Sequence, residues 1–174
     1  MPAWHENMLL HRQMENDLML RRKWTLHAHG KQIVLVKKVY EKDVHVLMKA
    51  FLWALYLPHY PNLSVETTVN DSFKPDLVAL DEMGRPSFWG ESGHISLKKI
   101  RSLIRRYRST HFAIAKWKSN LDPFVKIVKG AMDGIARENP IDIIAFQEDS
   151  RERFIDKSGN IHISHEQVEW IRLC

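Results

Sequence analysis

Two short runs of mostly apolar residues constrain the fold most strongly. Residues 111–115 and 141–146 lack the strict alternation of apolar and polar residues that a half-exposed strand shows. Runs of this kind are typical of parallel strands that helices cover on both faces. Between them, Asp122 and Pro123 give a helix-start signal, and the predicted helix runs to about residue 137. The pattern predicts a strand–helix–strand unit in a buried parallel sheet.

The other segments also read as strands and helices. Ser96 is a good N-cap for a helix over residues 97–107, whose apolar stripe leaves its Lys and Arg residues outside. The remaining predicted elements are strands 24–29, 32–36, 64–69, 77–80 and 86–89, a helix over 41–57 and a final hairpin over 153–163. This order predicts an α/β fold with a mixed β-sheet flanked by helices. We expect one domain over residues 23–174, preceded by an N-terminal extension of residues 1–22.

The positive charge of the chain is concentrated in one segment. The net charge is +5, and residues 92–121 contain eight Lys or Arg and no Asp or Glu. These eight are Lys98, Lys99, Arg101, Arg105, Arg106, Arg108, Lys116 and Lys118. A basic segment attracts polyanions, so nucleic acid is the expected partner, and a solvated helix face is the alternative explanation.

The cysteine content and the N-terminal pattern indicate the compartment. Cys174 is the only cysteine, which excludes a disulfide within the chain and a zinc site built on thiolates. Charged residues interrupt the apolar clusters near the N-terminus, so the sequence predicts neither a signal peptide nor a membrane span there. We therefore expect a cytoplasmic protein without a membrane partner.

Two acidic residues flank the hairpin predicted from strands 77–80 and 86–89. Folding this hairpin about Met83 and Gly84 places Asp76 opposite Glu91. Opposed carboxylates repel each other, and a divalent cation between them would remove the repulsion. Two alternatives remain open: a register shift by one residue puts the acids on opposite faces, or one carboxylate is solvated or paired with an arginine.

The order of elements resembles the PD-(D/E)xK restriction-endonuclease-like superfamily. The Lys-Pro-Asp motif at residues 74–76 opens one strand, and the Glu-Ser-Gly motif at 91–93 closes the next. Within the superfamily the chain is most similar to the YaeQ family, because the second motif leads into a helix rich in Lys and Arg. Glu41 at the start of an earlier helix, and Trp53 within it, add to the resemblance, which covers roughly residues 24–163.

The resemblance implies a metal-dependent nuclease site. In the superfamily an aspartate, a glutamate and the main-chain carbonyl of the next residue hold Mg²⁺, which Mn²⁺ can replace. By position these are Asp76, Glu91 and Ser92, and the motif lysine is missing because residue 93 is glycine. The resemblance implies further roles for Lys98, Lys99 or Arg101 as the replacement for the motif lysine, and for Glu41 as a helical carboxylate. The arginines that follow, Arg101, Arg105, Arg106 and Arg108, are expected to hold neighbouring phosphates without reading sequence.

Three functions are therefore open at this stage. The first is a Mg²⁺-dependent phosphodiesterase or nuclease, that is, a hydrolase acting on nucleic acid. The second is a nucleic-acid-binding or regulatory protein on the same fold without catalytic activity, because the motif lysine is absent. The third is a protein-interaction domain whose charges are solvated. The histidines at positions 45, 111, 162 and 165 show no ligand spacing, and we assign them no role.

Overall fold

A six-stranded mixed sheet forms the centre of the computed structural model, which describes residues 22–174. In chain order the elements are β1 (Lys23–Ala28), β2 (Lys31–Val36), α1 (Asp43–Tyr56), β3 (Ser64–Val65), β4 (Leu77–Leu80), β5 (Pro86–Ser92), α2 (Leu97–Arg106), β6 (His111–Trp117), α3 (Asp122–Met132), β7 (Ile141–Phe146), α4 (Ser150–Phe154), a 3₁₀ helix (His165–Gln167) and β8 (Glu169–Leu173). The predicted α/β class, with a mixed sheet flanked by helices, is confirmed. The predicted extension, apart from Arg22, lies outside the described residues.

The strands of the main sheet lie in the order β3-β4-β5-β6-β7-β8, and β1 and β2 form a separate antiparallel hairpin. β5, β6 and β7 run parallel to one another, whereas β4 and β8 pair antiparallel with the outer sides of this group. β7 is buried along its whole length, as expected for a parallel strand covered on both faces. The predicted strand–helix–strand unit is therefore confirmed.

Helices cover both faces of the sheet. α1 packs between the sheet and the β1–β2 hairpin, and its residues from Val46 to Tyr56 are all buried, as expected for a helix that is apolar on every side. α2 and α3 cover the opposite face. The sheet therefore has one hydrophobic core on each face. Successive residues of β5 pack into different cores, Phe88 on the α1 side and Trp89 on the α2 side.

Two predicted boundaries near α1 and β3 were wrong. α1 begins at Asp43 and not at Glu41, because the residue between them is in an extended conformation. Glu41 therefore lies just before the helix. The strand predicted over residues 64–69 ends at Val65, because Glu66 adopts a positive φ of 53°, which interrupts an extended strand.

The third helix is shorter than predicted. It ends at Met132 because the next residue is extended and Gly134 adopts a left-handed φ of 70°. Arg137, the predicted end of the helix, instead donates hydrogen bonds to main-chain carbonyls, among them those of Ile104 and Thr110. Its side chain thereby links the end of α2 to the segment that enters β6.

The last forty residues contain two further differences. The hairpin predicted over residues 153–163 does not form, because α4 occupies its first part and an isolated bridge between Ile155 and Ile161 replaces a strand ladder. The predicted turn does form, with Gly159 N donating to the Asp156 carbonyl at 3.0 Å. β8 was not predicted, because its residues are mostly exposed and its sequence lacks a clear apolar alternation.

A buried network of polar side chains lies at the amino-terminal edge of the parallel strands. Asp142 on β7 is 0% exposed and accepts hydrogen bonds from Tyr56 Oη (2.7 Å), His111 Nε2 (2.7 Å) and Arg172 Nε (2.8 Å). These partners come from α1, β6 and β8. Burial acts to raise the pKa of Asp142, but the hydrogen bonds from Arg172, His111 and Tyr56 outweigh it and hold the pKa well below its usual range.

We expect Asp142→Asn to lower the free energy of unfolding by about 3 kcal/mol, because it breaks a buried ion pair from one side. Urea denaturation at pH 7 measures the loss, with the exposed Asp149→Asn as the control. The difference from wild type should shrink as the pH falls below about 4, because a carboxylate with a lowered pKa loses its stabilising effect on protonation. A decrease in the free energy of unfolding of less than about 1 kcal/mol would contradict the conclusion that this network stabilises the sheet.

Candidate functional site

The carboxyl-terminal edge of the parallel strands brings the two predicted acids together. β4 and β5 pair in the register Leu77↔Gly90, which places Asp76 opposite Glu91. The contact between the strands continues beyond β4, where Asp76 N donates to the Gly90 carbonyl at 3.1 Å. The predicted register is confirmed over residues 77–79, and a shift by one residue there is wrong. Nearer the turn the register does shift, because a bulge after Ala79 pairs Leu80 with Pro86.

The side chain of Asp76 is held by two elements. Ser92 N donates to Asp76 Oδ2 at 2.8 Å, which fixes the carboxylate against the end of β5. His45 Nε2, from the first turn of α1, lies 3.4 Å from the same oxygen. Asp76 thus bridges the sheet and the start of the buried helix.

Glu91 is more deeply buried, with 6% of its surface exposed. Lys99 Nζ lies 2.6 Å from Glu91 Oε1, and Trp89 Nε1 donates to the same oxygen at 2.7 Å. Burial raises the pKa of Glu91, Lys99 and Trp89 act to lower it, and the charge of Asp76 raises it further. The negative charge of Asp76 is therefore close enough to disfavour the ionisation of Glu91.

Glu41 joins the same site through a histidine that the sequence analysis left without a role. His45 Nδ1 donates to Glu41 Oε1 at 2.6 Å, so His45 bridges Glu41 and Asp76. The hydrogen bond with Asp76 is the largest cause that raises the pKa of His45. The four-residue spacing from Glu41 to His45 is the sequence signal that could have identified this contact.

A buried lysine balances the charge behind this bridge. Lys49 is 1% exposed, and its Nζ lies 2.6 Å from Glu41 Oε1 and 2.7 Å from Glu66 Oε1. Burial acts to raise the pKa of Glu41, but hydrogen bonds from Lys49, His45 and Lys38 N lower it to about 2. Glu41 is thus ionised, and its carboxylate accepts hydrogen bonds from His45 and Lys49.

Among the candidate replacement bases, the structure brings Lys99 to the site. The side chain of Lys99 is 18% exposed and reaches Glu91, whereas Lys98 and Arg101 are exposed on the outer surface of α2. Lys99 lies in the first turn of this helix, whose N-cap Ser96 accepts a hydrogen bond from Lys99 N at 3.2 Å. The predicted cap is therefore confirmed.

The four arginines predicted to contact phosphates fall into two groups. Arg101, Arg105 and Arg108 are exposed. The guanidinium of Arg106 pairs with Asp71, whose Oδ2 also accepts a hydrogen bond from Tyr107 Oη at 2.6 Å. Arg106 is exposed as well, but Asp71 already pairs with its guanidinium, so the other three arginines are the ones available to a partner.

A second lysine at this edge was not among the predicted site residues. Lys116 Nζ on β6 donates to the main-chain carbonyl of Gly93 at 2.7 Å and lies 3.9 Å from the ring centre of Phe124. Burial lowers the pKa of Lys116 to about 8. Gly93 itself has a left-handed φ of 80°. The contact depends on the register between β5 and β6, which the sequence does not indicate.

The donor atoms at this edge fit Mg²⁺ better than a transition metal. No group of three or more His, Cys, Asp or Glu side chains suited to a metal ion occurs among residues 22–174. Mg²⁺ needs only one or two carboxylates, because water and substrate phosphates complete its octahedron. Within the described residues, Asp76 Oδ1 and Glu91 Oε2 have no hydrogen-bond partner, so each acid has one oxygen available for such an ion.

Comparison with known proteins identifies the fold. No protein-family model and no curated sequence matches the chain. The crystal structure of the YaeQ protein from Pseudomonas syringae matches with a TM-score of 0.56 and 16% identity, over 76% of this chain and 74% of that one. The chain has the fold of the YaeQ proteins. The YaeQ protein from Xanthomonas axonopodis pv. citri matches with a TM-score of 0.51 and 16% identity, over 71% of this chain and 72% of that one.

The YaeQ resemblance predicted from the sequence is thus confirmed at the level of the fold. The wider PD-(D/E)xK resemblance stays a prediction from the residues at positions 74–76 and 91–93. Within this YaeQ-like fold, residues 22–174 contain no helix that is long and apolar enough to span a membrane.

We expect Lys99→Met to raise the pKa of Glu91 further, because it removes the nearest positive charge. The change should also cost about 2 kcal/mol of stability, the value of a hydrogen bond to a buried charged group. Carboxyl ¹³C NMR titration measures the pKa, and urea denaturation measures the stability. Lys98→Met, an exposed neighbour on the same helix, is the matched control, and equal effects of the two variants would contradict the Glu91–Lys99 pairing.

Proposed function

We propose that the protein is a Mg²⁺-dependent phosphodiesterase or nuclease that acts on nucleic acid at the edge formed by Asp76, Glu91 and Ser92. The observation that carries this proposal is the opposed pair of carboxylates, each with one oxygen free of partners in the described chain. Two negative charges at this spacing destabilise a sheet unless a cation offsets them. Lys99 contacts Glu91 through Oε1, and Ser92 N and His45 contact Asp76 through Oδ2, so the second oxygen of each acid is left for a divalent ion.

Asp76, Glu91 and the main-chain carbonyl of Ser92 would hold the ion, which when bound would neutralise negative charge that develops at a phosphate. In the hydrolysis, the oxygen of water bonds to phosphorus and the bond from phosphorus to a sugar oxygen breaks. The water loses one proton, and the departing sugar oxygen gains one. Lys99 orients Glu91, while His45 and Ser92 N orient Asp76.

α2 provides the surface for the nucleic-acid backbone. The helix begins beside Glu91 and carries Lys98, Arg101 and Arg105 on its exposed side, and Arg108 follows it. Contacts of this kind hold phosphates in place without reading the base sequence. The basic helix and the acidic edge are therefore adjacent parts of one surface.

A specific observation favours a second candidate function, a nucleic-acid-binding or regulatory protein without catalysis. Residue 93 is glycine, and Lys99 Nζ contacts Glu91 Oε1, an oxygen that a cation would otherwise share. A fold can keep its binding surface after its chemistry is lost. Metal binding and cleavage distinguish the two functions.

We expect the protein to bind Mn²⁺, the calorimetric surrogate for Mg²⁺, and Asp76→Ala to weaken this binding by more than about 10-fold. Asp76→Asn should abolish Mg²⁺-dependent cleavage of plasmid DNA, single-stranded DNA or RNA, because an amide cannot supply the anionic ligand. Glu82→Gln is the matched control, since Glu82 is exposed in the turn at the opposite end of the same hairpin.

The outcomes separate the candidates. Mn²⁺ binding that depends on Asp76, together with cleavage, supports the nuclease. Mn²⁺ binding without cleavage of any substrate supports the second candidate. Wild-type protein that neither binds Mn²⁺ nor cleaves with Mg²⁺ would overturn the metal site.

We expect Arg101→Glu with Arg105→Glu to weaken nucleic-acid binding by more than about 10-fold at 50 mM salt and to reduce the salt slope by about 2. Fluorescence anisotropy with labelled single- and double-stranded oligonucleotides measures both quantities. The matched control is Lys23→Glu with Lys157→Glu, which changes the net charge by the same amount. Lys23 belongs to β1, and Lys157 belongs to the turn that contacts β1, so neither residue lies on α2. Equal weakening by both pairs would indicate a net-charge effect and contradict a binding surface on α2.

A further inference from the structure

Lys116 lies beside the proposed site because of the pairing between β5 and β6. These strands are parallel, in the register Glu91↔Ile114 and Ser92↔Ala115. The next residues along the two strands are Gly93 and Lys116. The contact from Lys116 Nζ to the Gly93 carbonyl continues this alignment. Lys116 therefore lies on the strand next to that of Glu91, two residues further along, while β5 separates it from Asp76.

The side chain of Lys116 lies on the same face of the sheet as that of Glu91. Paired residues share a face, and side chains two residues apart along a strand share it too. Ile114, the partner of Glu91, packs in the core beneath α2 and α3. Lys116 comes two residues later, and its Nζ lies over the ring of Phe124 on α3. The ammonium is thus on the face where Glu91 and Lys99 meet.

The positive charge of Lys116 lacks an acidic partner within the described residues, where no Asp or Glu lies within ion-pair distance of its Nζ. Two other lysines near this edge are paired: Lys99 with Glu91, and Lys118 with Glu148. Lys98 is unlike Lys116 because it is exposed to solvent. Partial burial without a counter-ion is unfavourable for an ammonium, and this cost appears as the lowered pKa. An ammonium has three hydrogens to donate, and the Gly93 carbonyl uses one.

We propose that Lys116 is the catalytic lysine of this site and that its ammonium contacts the phosphate under attack. The inference rests on the function proposed above. A phosphate placed between the acids and β6 would supply the counter-charge that Lys116 lacks. The ammonium would in turn stabilise the negative charge that grows on the phosphate oxygens during hydrolysis. Lys99 is less suited to this role because Glu91 already pairs with it.

The first test compares Lys116→Met with Lys116→Arg in the full-length protein. Lys116→Met should lower Mg²⁺-dependent cleavage by about 100-fold or more, the usual effect of removing one group that stabilises transition-state charge. Lys116→Arg keeps the charge and should retain more activity than Lys116→Met. Lys118→Met is the matched control, because Lys118 follows the same strand but pairs with Glu148 at the surface. Circular dichroism and thermal melting check that each variant is folded.

A second measurement does not depend on activity. In protein with ¹³C-labelled lysine, the Lys116 Cε resonance is identified by its loss in Lys116→Arg. Addition of Mg²⁺ and a phosphorothioate pentanucleotide should shift this resonance in wild type but not in Asp76→Asn. Mn²⁺ affinity by calorimetry should be unchanged in Lys116→Met, because the lysine does not hold the metal.

The results distinguish failure of this inference from failure of the proposed function. If wild type binds Mn²⁺ through Asp76 and Lys116→Met cleaves like wild type, the Lys116 inference is wrong and the nuclease stands. If Mn²⁺ binds and no substrate is cleaved, the NMR shift decides, and an unmoved Lys116 resonance overturns the inference. If wild type neither binds Mn²⁺ nor cleaves, the proposed function fails and the Lys116 inference fails with it.

Discussion

The pairing of β5 on both of its sides determines the arrangement of the remaining structure. On one side β5 meets β4 in an antiparallel register, and on the other it meets β6 in a parallel register. The first pairing sets Asp76 opposite Glu91, and the second sets Lys116 beside Gly93. Since the period along a strand is two residues, a shift by one residue in either register would move these side chains to opposite faces.

Each edge of the parallel strands has its own charge arrangement. At the amino-terminal edge, Asp142 is fully buried and pairs with Arg172, and every partner is contributed by a different element. At the carboxyl-terminal edge, Glu91 has a partner in Lys99, while Lys116 has no carboxylate near it in the described part of the chain. A fully paired network contributes to stability, whereas an incompletely paired one leaves groups able to interact with a ligand. The asymmetry agrees with the general tendency of α/β sheets to bind ligands at the carboxyl ends of their strands.

The sequence predicted the parts of this structure that depend on short-range patterns. The apolar runs at residues 111–115 and 141–146 identified two of the parallel strands, and the turn signal of the hairpin predicted the register that sets Asp76 opposite Glu91, although it did not reveal the bulge after Ala79. The strand that the sequence did not predict lacks such a short-range pattern. The strand β8 pairs at the edge and buries little, so its sequence carries almost no periodic signal.

The missed site residues likewise depend on tertiary contacts. His45 acquires its role because α1 is packed against the end of β5, and Lys116 acquires its position from a register between strands separated by a helix. Neither of these two relations leaves a trace in residue spacing within one element, whereas the contact of His45 with Glu41 does, through their four-residue separation. The candidate bases named from the sequence were restricted to the next helix, where Lys99 does reach Glu91, because spacing along the chain was the only available guide.

The left-handed backbone at Gly93 has a consequence for how this site could change. A φ of 80° is strained for any residue with a side chain, and a Cβ placed there would lie 3.6 Å from Met48 Cε and 3.7 Å from His45 Cδ2. The side chain of a lysine placed at this position would therefore start toward α1 and away from the face that holds Glu91 and Lys116. A single Gly93→Lys substitution would not by itself direct an ammonium at Glu91, because the main chain at this residue would also have to change its conformation.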